Sequence, residues 1–305
     1  KRVALARARA VRAARAAGGP GGAAFLMVRA AEELAERLAA VTREFEVAVD
    51  MSGGDGTPAA ALAAAPNVGR VVRGDSLVPA LPGPAKVPRV VLDEEALPFR
   101  DGALDLVVSL LALQVVNDLP GALVQIRRAL KPDGLFLATL PAGDTLAELR
   151  ASLIAAETEA TGGARPRVAP FAPLQALAGL LQRAGFALPV AVGDRVTVRY
   201  PDMFALLKDL RAMGATGPLA DPDASPARRA LFARAAAHYA ATFADADGRV
   251  RATFDLAHLS AWAPSESQPK PARPGSAKAR LADALGTVEH GAGEAAAPRA
   301  DGGGN

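Results

Sequence analysis

The chain has 305 residues, of which 50% are hydrophobic but only 4% aromatic, so small residues with Leu and Val must build its core. It contains no Cys, which excludes disulfides, zinc knuckles and a thiol nucleophile. Only three His are present, and we expect no metal site. Charges, Gly or Pro interrupt every apolar stretch of roughly 18 residues, so we expect a soluble, cytoplasmic protein without a transmembrane helix.

The net charge of +3 is unevenly distributed. Residues 1–16 carry six basic and no acidic side chains, and subtracting those six charges leaves −3 for the rest of the chain. We predict a basic N-terminal arm over 1–22 that ends in the Gly-rich stretch 17–22. Such an arm is either a solvated segment or a contact for an acidic partner or a membrane surface. Because the chain begins with Lys1, we expect the natural N-terminus to lie upstream.

Apolar periodicity predicts alternating helices and strands in the first half of the chain. Helices are predicted over 24–43, from Pro58 onward and over 119–130. The predicted strands are 45–51, 69–73, 89–92, 104–111 and 135–140. The almost wholly apolar run 104–111 is typical of a central parallel strand that is buried on both faces. This alternation predicts an α/β fold with a mostly parallel sheet.

The second half of the chain has longer helices and a different strand pattern. The predicted helices are 144–161, 173–184, 203–213 and 227–243, and the predicted strands are 189–200 and 249–262. A single domain over 23–262 therefore carries a helical insertion at 201–248. Gly214 and Gly217 in that insertion favour a lid, and a rigid appended subdomain is the alternative. Pro, Ala and Gly dominate 263–305, which we expect to be mostly disordered.

Acidic residues follow three of the predicted strands. Asp50 ends the first strand before a Gly-rich loop, Asp75 follows the second, and Asp93 with Glu94 follows the third. Ligands of open α/β sheets bind at this edge, where an acid after the second strand can accept hydrogen bonds from ribose hydroxyls. Taken singly, an Asp such as Asp75 is more often a helix N-cap, and Asp93 with Glu94 could form a solvated acidic turn. In this order they predict a pocket for an adenosine without a pyrophosphate, which indicates S-adenosylmethionine rather than NAD.

The stretch DMSGGDG at 50–56 resembles the first motif, D-x-G-x-G-x-G, of class I S-adenosylmethionine-dependent methyltransferases. Asp50, Gly54 and Gly56 match the motif, while Ser52 stands where its first Gly should be. Segments 93–109 and 130–136 resemble later motifs of the same superfamily. The resemblance implies a Rossmann-like, mostly parallel seven-stranded sheet with a helical insertion before the last strand.

A closer resemblance, over about 24–287, is to the complex I assembly factor 5 family. It is carried by VVNDLPGALVQIRRALKPDGLFLATLPAGDTLAELR, YPDMFALLKDLRAMGAT and ESQPKPARPGSAK. Bacterial members of that family are described as methyltransferase-like, and mitochondrial members hydroxylate an arginine of a complex I subunit during assembly. The helix LKDLRAMGAT is also similar to malonyl carrier-protein O-methyltransferase.

The resemblance implies which positions surround S-adenosylmethionine. Those positions are Asp50, Ser52, Gly54, Gly56, Asp75, Asp93, Glu94 and Gln114. Asp75 would hold the ribose hydroxyls, and Asp93 with Glu94 would face the adenine. Gln114 and Val115 replace a His-Trp pair of the closer family, so together with Ser52 they are two departures at the pocket.

Methyl transfer from a sulfonium depends on proximity and orientation more than on acid–base groups, so the scarcity of His is no obstacle. Asp144 and Tyr200 are the candidate catalytic residues. Further candidates for the base that deprotonates an acceptor are Glu148, Asp202 and Tyr239. Acids that would suit recognition of an arginine are Glu148, Glu157 and Asp209.

Three hypotheses remain open at this stage. The first is methyl transfer to a small molecule, a carrier-bound acid or a protein, and the second is hydroxylation of an arginine on a complex I subunit. The third is a non-catalytic assembly factor that retains the fold. We expect no nucleic acid partner, contact with a membrane surface only through the basic arm, and a mitochondrial matrix location if the protein is eukaryotic.

Overall fold

The structure is a computed structural model that describes residues 24–52, 56–75, 87–215, 229–269, 276 and 280–287. The predicted basic arm lies outside the described residues. One compact unit runs to Glu266, and a second begins at Ser267. The described helices are α1 (Phe25–Ala39), α2 (Thr57–Ala64), α3 (Leu119–Ala129), α4 (Ala147–Thr161), α5 (Leu174–Arg183), α6 (Met203–Ala212), α7 (Arg229–Phe243) and α8 (Leu281–Leu285).

A seven-stranded sheet forms the centre of the first unit, in the order β3-β2-β1-β4-β5-β7-β6. Its strands are β1 (Phe45–Asp50), β2 (Val68–Asp75), β3 (Arg89–Val91), β4 (Leu104–Leu110), β5 (Leu130–Ala142), β6 (Ala187–Tyr200) and β7 (Val250–Trp262). Strands β1 to β5 pair in parallel, and β7 runs antiparallel to both of its neighbours, β5 and β6. The mostly parallel sheet with a helical insertion before its last strand is confirmed.

Helices cover both faces of the sheet because the central strands are apolar on both sides. All seven residues of β4 are buried. Val107 packs with Ile126 of α3 on one face, and Val108 packs with Leu34 of α1 on the other. Successive strand residues point to opposite faces, so an uninterrupted apolar run serves two cores at once. No helix among the described residues is long and apolar enough to cross a membrane.

A helical cover, made of α4, α6 and α7, packs on the parts of β6 and β7 that extend past the rest of the sheet. Ala142, the last residue of β5, pairs with Asp255, so β7 residues 250–254 lie beyond the end of β5. The cover shares one apolar core with that extension, to which Leu153, Leu206 and Phe254 contribute. The ring of Phe25 in α1 meets Phe254 edge to face, 5.9 Å between centroids.

Some element boundaries differ from the predicted ones. The helix predicted over 24–43 ends at Ala39, and β2 continues to Asp75, which was expected just after the strand. The helix predicted from 144 begins at Ala147, because Leu146 takes a left-handed conformation and its N–H bonds to the carbonyl of Thr253. In the predicted tail, the structure describes 263–269, 276 and 280–287, which include α8.

Candidate functional site

The loop after β1 starts from a buried acid. The carboxylate of Asp50 is fully buried, and its Oδ1 accepts a hydrogen bond from the N–H of Ser52 at 2.8 Å. This short turn redirects the chain at the C-terminal end of β1. Gly56 precedes α2 with a φ of +89°, a conformation that favours glycine. Gly54, the other matching glycine of the motif, lies outside the described residues.

The same loop is tied to the end of β4. The hydroxyl of Ser52 accepts a hydrogen bond from the N–H of Leu110 at 2.8 Å, and the N–H of Met51 bonds to the carbonyl of Val108 at 2.7 Å. Ser52 is 7% exposed. The residue that departs from the motif therefore contributes a hydrogen bond that a glycine could not make.

The strand register places the three predicted acids along one edge of the sheet. Asp50 pairs with Arg73, so Asp75 lies two residues further along β2. Asp75 pairs with Val91, so Asp93 follows two residues beyond the end of β3. At a rise of about 3.3 Å per residue, Asp75 stands about 7 Å beyond the level of Asp50, and Asp93 lies past the end of β3. Asp50, Asp75 and Asp93 thus rise in steps along the C-terminal edge.

The turn after β3 and the segment after β4 are joined by Glu95, which the sequence reasoning missed. Its carboxylate accepts the N–H groups of Asn117 and Asp118 at 2.5 and 3.0 Å, and these bonds lower the pKa of Glu95. Asp93 is exposed and accepts the N–H of Glu95 at 2.9 Å, whereas Glu94 is buried. Glu95 has only charge as a sequence signal, and that signal does not reveal a partner 22 residues away.

Two buried polar atoms at the end of β4 have no hydrogen-bond partner within the described part of the chain, the hydroxyl of Ser109 and Oε1 of Gln114. Gln114 lies in the single 3-10 turn Leu113–Val115, and its Nε2 donates to the carbonyl of Leu111 at 2.8 Å. A buried acceptor without a donor costs free energy, so Gln114 is suited to receive an N–H from a ligand.

The candidate tyrosines lie away from solvent. Tyr200 is 6% exposed and Tyr239 is 0% exposed, and both belong to the core of the helical cover. Burial raises the pKa of each, and the negative charge of Asp209 raises that of Tyr200 further. A tyrosine with a raised pKa stays protonated and is a poor general base.

The candidate aspartates already have partners. Asp144 is 70% exposed and forms an ion pair with Arg195 at 3.0 Å, and Arg195 also binds Asp255. Asp202 caps α6 by accepting the N–H of Ala205 at 2.8 Å. Both carboxylates therefore already make a structural contact, and neither is distinguished as a base.

The two glutamates proposed for arginine recognition differ in whether their partner is charged. Glu157 is buried and binds Arg167 at 2.5 Å, which holds the pKa of Glu157 below its ordinary value. Glu148 instead accepts both the N–H and the hydroxyl of Thr253 and lines a cavity. Glu148 is thus the one of the two whose described partners are neutral.

The two described histidines bond to hydroxyls of neighbouring elements. Nδ1 of His258 lies 2.9 Å from the hydroxyl of Thr139, and Nδ1 of His238 lies 3.2 Å from that of Ser152. Over the ranges that the structure describes, no group of three or more His, Cys, Asp or Glu side chains is arranged to hold a metal ion.

With this geometry established, comparison with known proteins decides the family. The sequence model of the family described as Methyltransferase domain matches residues 23–189, more than half of the chain. The chain belongs to the methyltransferase-domain family.

Relatives and solved structures agree with this assignment. The chain is 40% identical to the mouse (Mus musculus) protein named Arginine-hydroxylase NDUFAF5, mitochondrial, over 262 residues that cover 83% of this chain and 74% of that protein. It is 32% identical to Malonyl-[acyl-carrier protein] O-methyltransferase of Methylovorus sp. (strain MP688) over 263 residues, 82% of this chain and 86% of that protein. The crystal structure of the YcgJ protein from Bacillus subtilis has the same fold, with a TM-score of 0.52 at 15% identity over 78% of this chain and 99% of that one.

Proposed function

We propose that this chain binds S-adenosylmethionine across the C-terminal ends of β1, β2 and β4 and uses it as a methyl donor. The observation that carries the proposal is the stepwise placement of Asp50, Asp75 and Asp93 on the edge next to the Gly-rich loop. This is the edge at which open α/β sheets bind nucleotide-like ligands. Membership of the methyltransferase-domain family supports the same conclusion.

We assign the residues at this edge to parts of the cofactor. Asp75 would hold the ribose hydroxyls, Asp93 with Glu94 would contact the adenine, and Asp50 with Gly54 would line the sugar and methionine side. The buried Oε1 of Gln114 is an acceptor that matches a cofactor N–H group. When bound, S-adenosylmethionine supplies an electrophilic methyl group on a positively charged sulfur.

The chain's own contribution to methyl transfer is orientation and exclusion of water. The hydrogen bond of Ser52 holds the loop after β1 against the end of β4, and the hydrogen bonds of Glu95 hold the turn after β3 against the segment after β4. We assign the described helices of the insertion, α6 and α7, the role of a lid on the acceptor side, because they pack on the strand extension beyond the end of β5. Closing the lid would hold the acceptor in line with the sulfonium.

A second candidate function is hydroxylation of a protein arginine. It is favoured by the 40% identity to a relative named as an arginine hydroxylase. The partner would then be a complex I subunit. The reaction would take place in the mitochondrial matrix of a eukaryote or in the cytoplasm of a bacterium. Hydroxylation replaces a C–H bond by C–OH: one atom of dioxygen enters the product, and the other is reduced to water by two electrons from a reductant and two protons.

Calorimetric titration with S-adenosylmethionine tests the main proposal. We expect the unmodified chain to bind, Asp75→Ala to bind much more weakly, and Asp101→Ala to bind normally. Asp101 is a suitable control because it is an exposed acid just before β4, at the opposite edge of the sheet. Absence of binding by the unmodified chain at millimolar cofactor would overturn the proposal and favour a non-catalytic assembly factor.

Mass spectrometry separates the two reactions. The complex I subunit is compared between a strain with this protein and a deletion strain. A peptide that lacks an added oxygen only in the deletion strain would establish hydroxylation, and loss of an added methyl group would establish methyl transfer to that subunit. An identical modification state in both strains would exclude this subunit as the acceptor.

A further inference from the structure

Strand β6 forms one edge of the sheet and exposes aliphatic side chains there. Among the described strands, β7 alone pairs with it. Leu188, Val190 and Val192 lie two residues apart, so they share one face of the strand, and each is about half exposed. An edge strand of this kind is a template for pairing with another strand unless its backbone is protected. The hydrogen bonds of the β6 backbone therefore decide what this edge can bind.

The backbone of β7 shows which groups of β6 point outward. The N–H and the carbonyl of Thr253 bond to Glu148 and Leu146, which follow β5 in the chain and lie on its side. Successive residues of a strand direct these groups to opposite sides, so Phe254 faces β6. Phe254 pairs with Val196, and the even-numbered residues of this part of β6 therefore face β7. The odd-numbered residues direct their N–H and C=O groups away from the sheet.

These outward groups are open over one short stretch, residues 191–197, which we call the open edge. Pro189 precedes it and has no N–H to donate. Arg199 follows it, and its carbonyl already accepts the guanidinium of Arg249 at 3.2 Å. Between these limits, no hydrogen bond within the described part of the chain uses the outward groups of four residues, Ala191, Gly193, Arg195 and Thr197. The open edge is thus the part of β6 that can accept another strand.

A second, antiparallel copy of β6 matches the open edge in one register. With a two-fold axis through Asp194, Ala191 stands opposite Thr197 of the second copy. Gly193 then stands opposite Arg195 of the second copy. Opposed residues that face each other in this way exchange two hydrogen bonds, so the open edge would form about eight. Every outward N–H and C=O of the open edge then has a partner.

The residues that limit the open edge favour the same register. Pro189 comes to stand opposite Arg199, whose carbonyl has Arg249 as its donor and does not need an N–H. Moving the axis by one residue, to Gly193, would set Pro189 against Thr197 and leave the Thr197 carbonyl without a donor. Moving it the other way, to residue 195, would set two arginines against each other, and like charges directly opposite are destabilising.

The side chains of the even-numbered face agree with this register. Val192 stands opposite Val196 of the second copy, and Val190 stands opposite Val198, at the separation of about 5 Å that cross-strand neighbours have. Val196 and Val198 pack on the core of the helical cover. The half-exposed pair of Val190 and Val192 would therefore extend that core across the edge from one copy to the other.

We propose that the partner of this edge is a second copy of the chain, and that two β6 strands join antiparallel about a two-fold axis at Asp194. The result is one continuous sheet that runs through both copies. The two Asp194 carboxylates meet at the axis, and each is neutralised by Arg29 of its own copy, whose Nε lies 2.6 Å away. The inference does not depend on the proposed methyl transfer.

Cysteine cross-linking tests the register, because the chain has no Cys of its own. Val192→Cys combined with Val196→Cys should give a covalent dimer on mild oxidation. Within one copy the two positions are about 13 Å apart, too far for a disulfide. Val190→Cys is the matched control, since Val190 is as exposed as Val192 but lies about 27 Å from its own counterpart in this register. Cross-linking of the control, or its absence in the double variant, would overturn the register.

Sedimentation velocity of the full chain over a range of concentrations tests association itself. We expect a monomer–dimer equilibrium that Val192→Lys weakens about tenfold, because a charge replaces an aliphatic pair that occurs twice in the dimer. Val91→Lys is the matched control, since Val91 is exposed on β3, the strand at the opposite edge of the sheet. A monomer at every concentration would overturn the inference, as would a dimer that Val192→Lys leaves unchanged or that Val91→Lys weakens.

Discussion

The hydroxyl of Ser52 accepts the backbone N–H of Leu110 at 2.8 Å, and this hydrogen bond joins the loop after β1 to the end of β4. Both residues are buried, at 7% and 1% exposure. In the related motif this position is a glycine, which has no side-chain oxygen to accept a hydrogen bond. At this position the chain therefore has a side-chain hydrogen bond between two loops that the glycine of the family motif cannot form.

Replacing Ser52 should destabilise the protein. Ser52→Ala leaves the N–H of Leu110 buried without its acceptor, and we expect a loss of about 1–3 kcal/mol in the free energy of unfolding. Urea denaturation measures this loss. Ser52→Gly, which restores the motif, should cost a similar amount, with up to about 1 kcal/mol more from backbone entropy. Unchanged stability in both variants would show that the hydrogen bond contributes nothing.

The fold was predictable because each step rests on a local pattern. The apolar run of β4 indicated a strand buried on both faces, and the acids after β1, β2 and β3 indicated the ligand edge. The boundaries were less predictable where long-range contacts decide them. Leu146 delays the start of α4 because its N–H bonds to Thr253, more than 100 residues away, and no local pattern reports such a bond.

The candidate site also has one part that local sequence patterns predict and another part that long-range contacts decide. Asp50, Asp75 and Asp93 reach one edge because parallel strands end together, which their sequence order already implies. Burial of Tyr200 in the helical cover and the link made by Glu95 depend on how helices and loops meet in space. Side-chain type alone makes both tyrosines and surface glutamates look equally suited to catalysis or to structure.

His258 should make stability depend on pH. It is 3% exposed, shares a hydrogen bond with Thr139, and its Nε2 lies 3.7 Å from Asp194. Burial lowers the pKa of His258 below its ordinary value of 6.5, against opposing effects of Glu33 and Asp194, and Arg37 lowers it further. Because the unfolded chain then takes up a proton more readily than the folded one, this stability is complete above about pH 6.5 and declines as the pH falls toward the folded pKa.

The measurement is urea denaturation of the unmodified chain and of His258→Gln between about pH 7 and pH 5. The unmodified chain should lose up to about 1.4 kcal/mol per pH unit within this window through His258, and the variant should lack this contribution to the slope. Carboxylates with lowered pKa values, such as Asp255 and Glu157, lose their stabilising effect at more acid pH in both proteins. Parallel slopes for the two proteins would contradict the prediction.

Buried Glu157 and partly exposed Arg167 should be strongly coupled. Glu157 also accepts the N–H of Arg165 at 3.1 Å, so its carboxylate is held on several sides. Arg167→Ala leaves a buried negative charge without its cation, and we expect a cost of about 2–3 kcal/mol. The double variant Glu157→Gln with Arg167→Ala should recover part of that loss. A double-mutant cycle with additive effects would show that the two side chains are not coupled.

The two buried tyrosines offer a matched comparison. The hydroxyl of Tyr239 donates to the carbonyl of Arg251 at 2.7 Å, whereas the hydroxyl of Tyr200 makes no hydrogen bond of ordinary geometry with any described residue. Tyr239→Phe should therefore destabilise the protein by about 1 kcal/mol, because it leaves a carbonyl without its donor. Tyr200→Phe should cost less than Tyr239→Phe or be neutral, because the Tyr200 hydroxyl has the Asp209 carboxylate as a neighbour but makes no hydrogen bond of ordinary geometry. Thermal unfolding measures both. If Tyr200→Phe instead preserves the fold but abolishes turnover, the hydroxyl contacts the acceptor in a conformation other than this one.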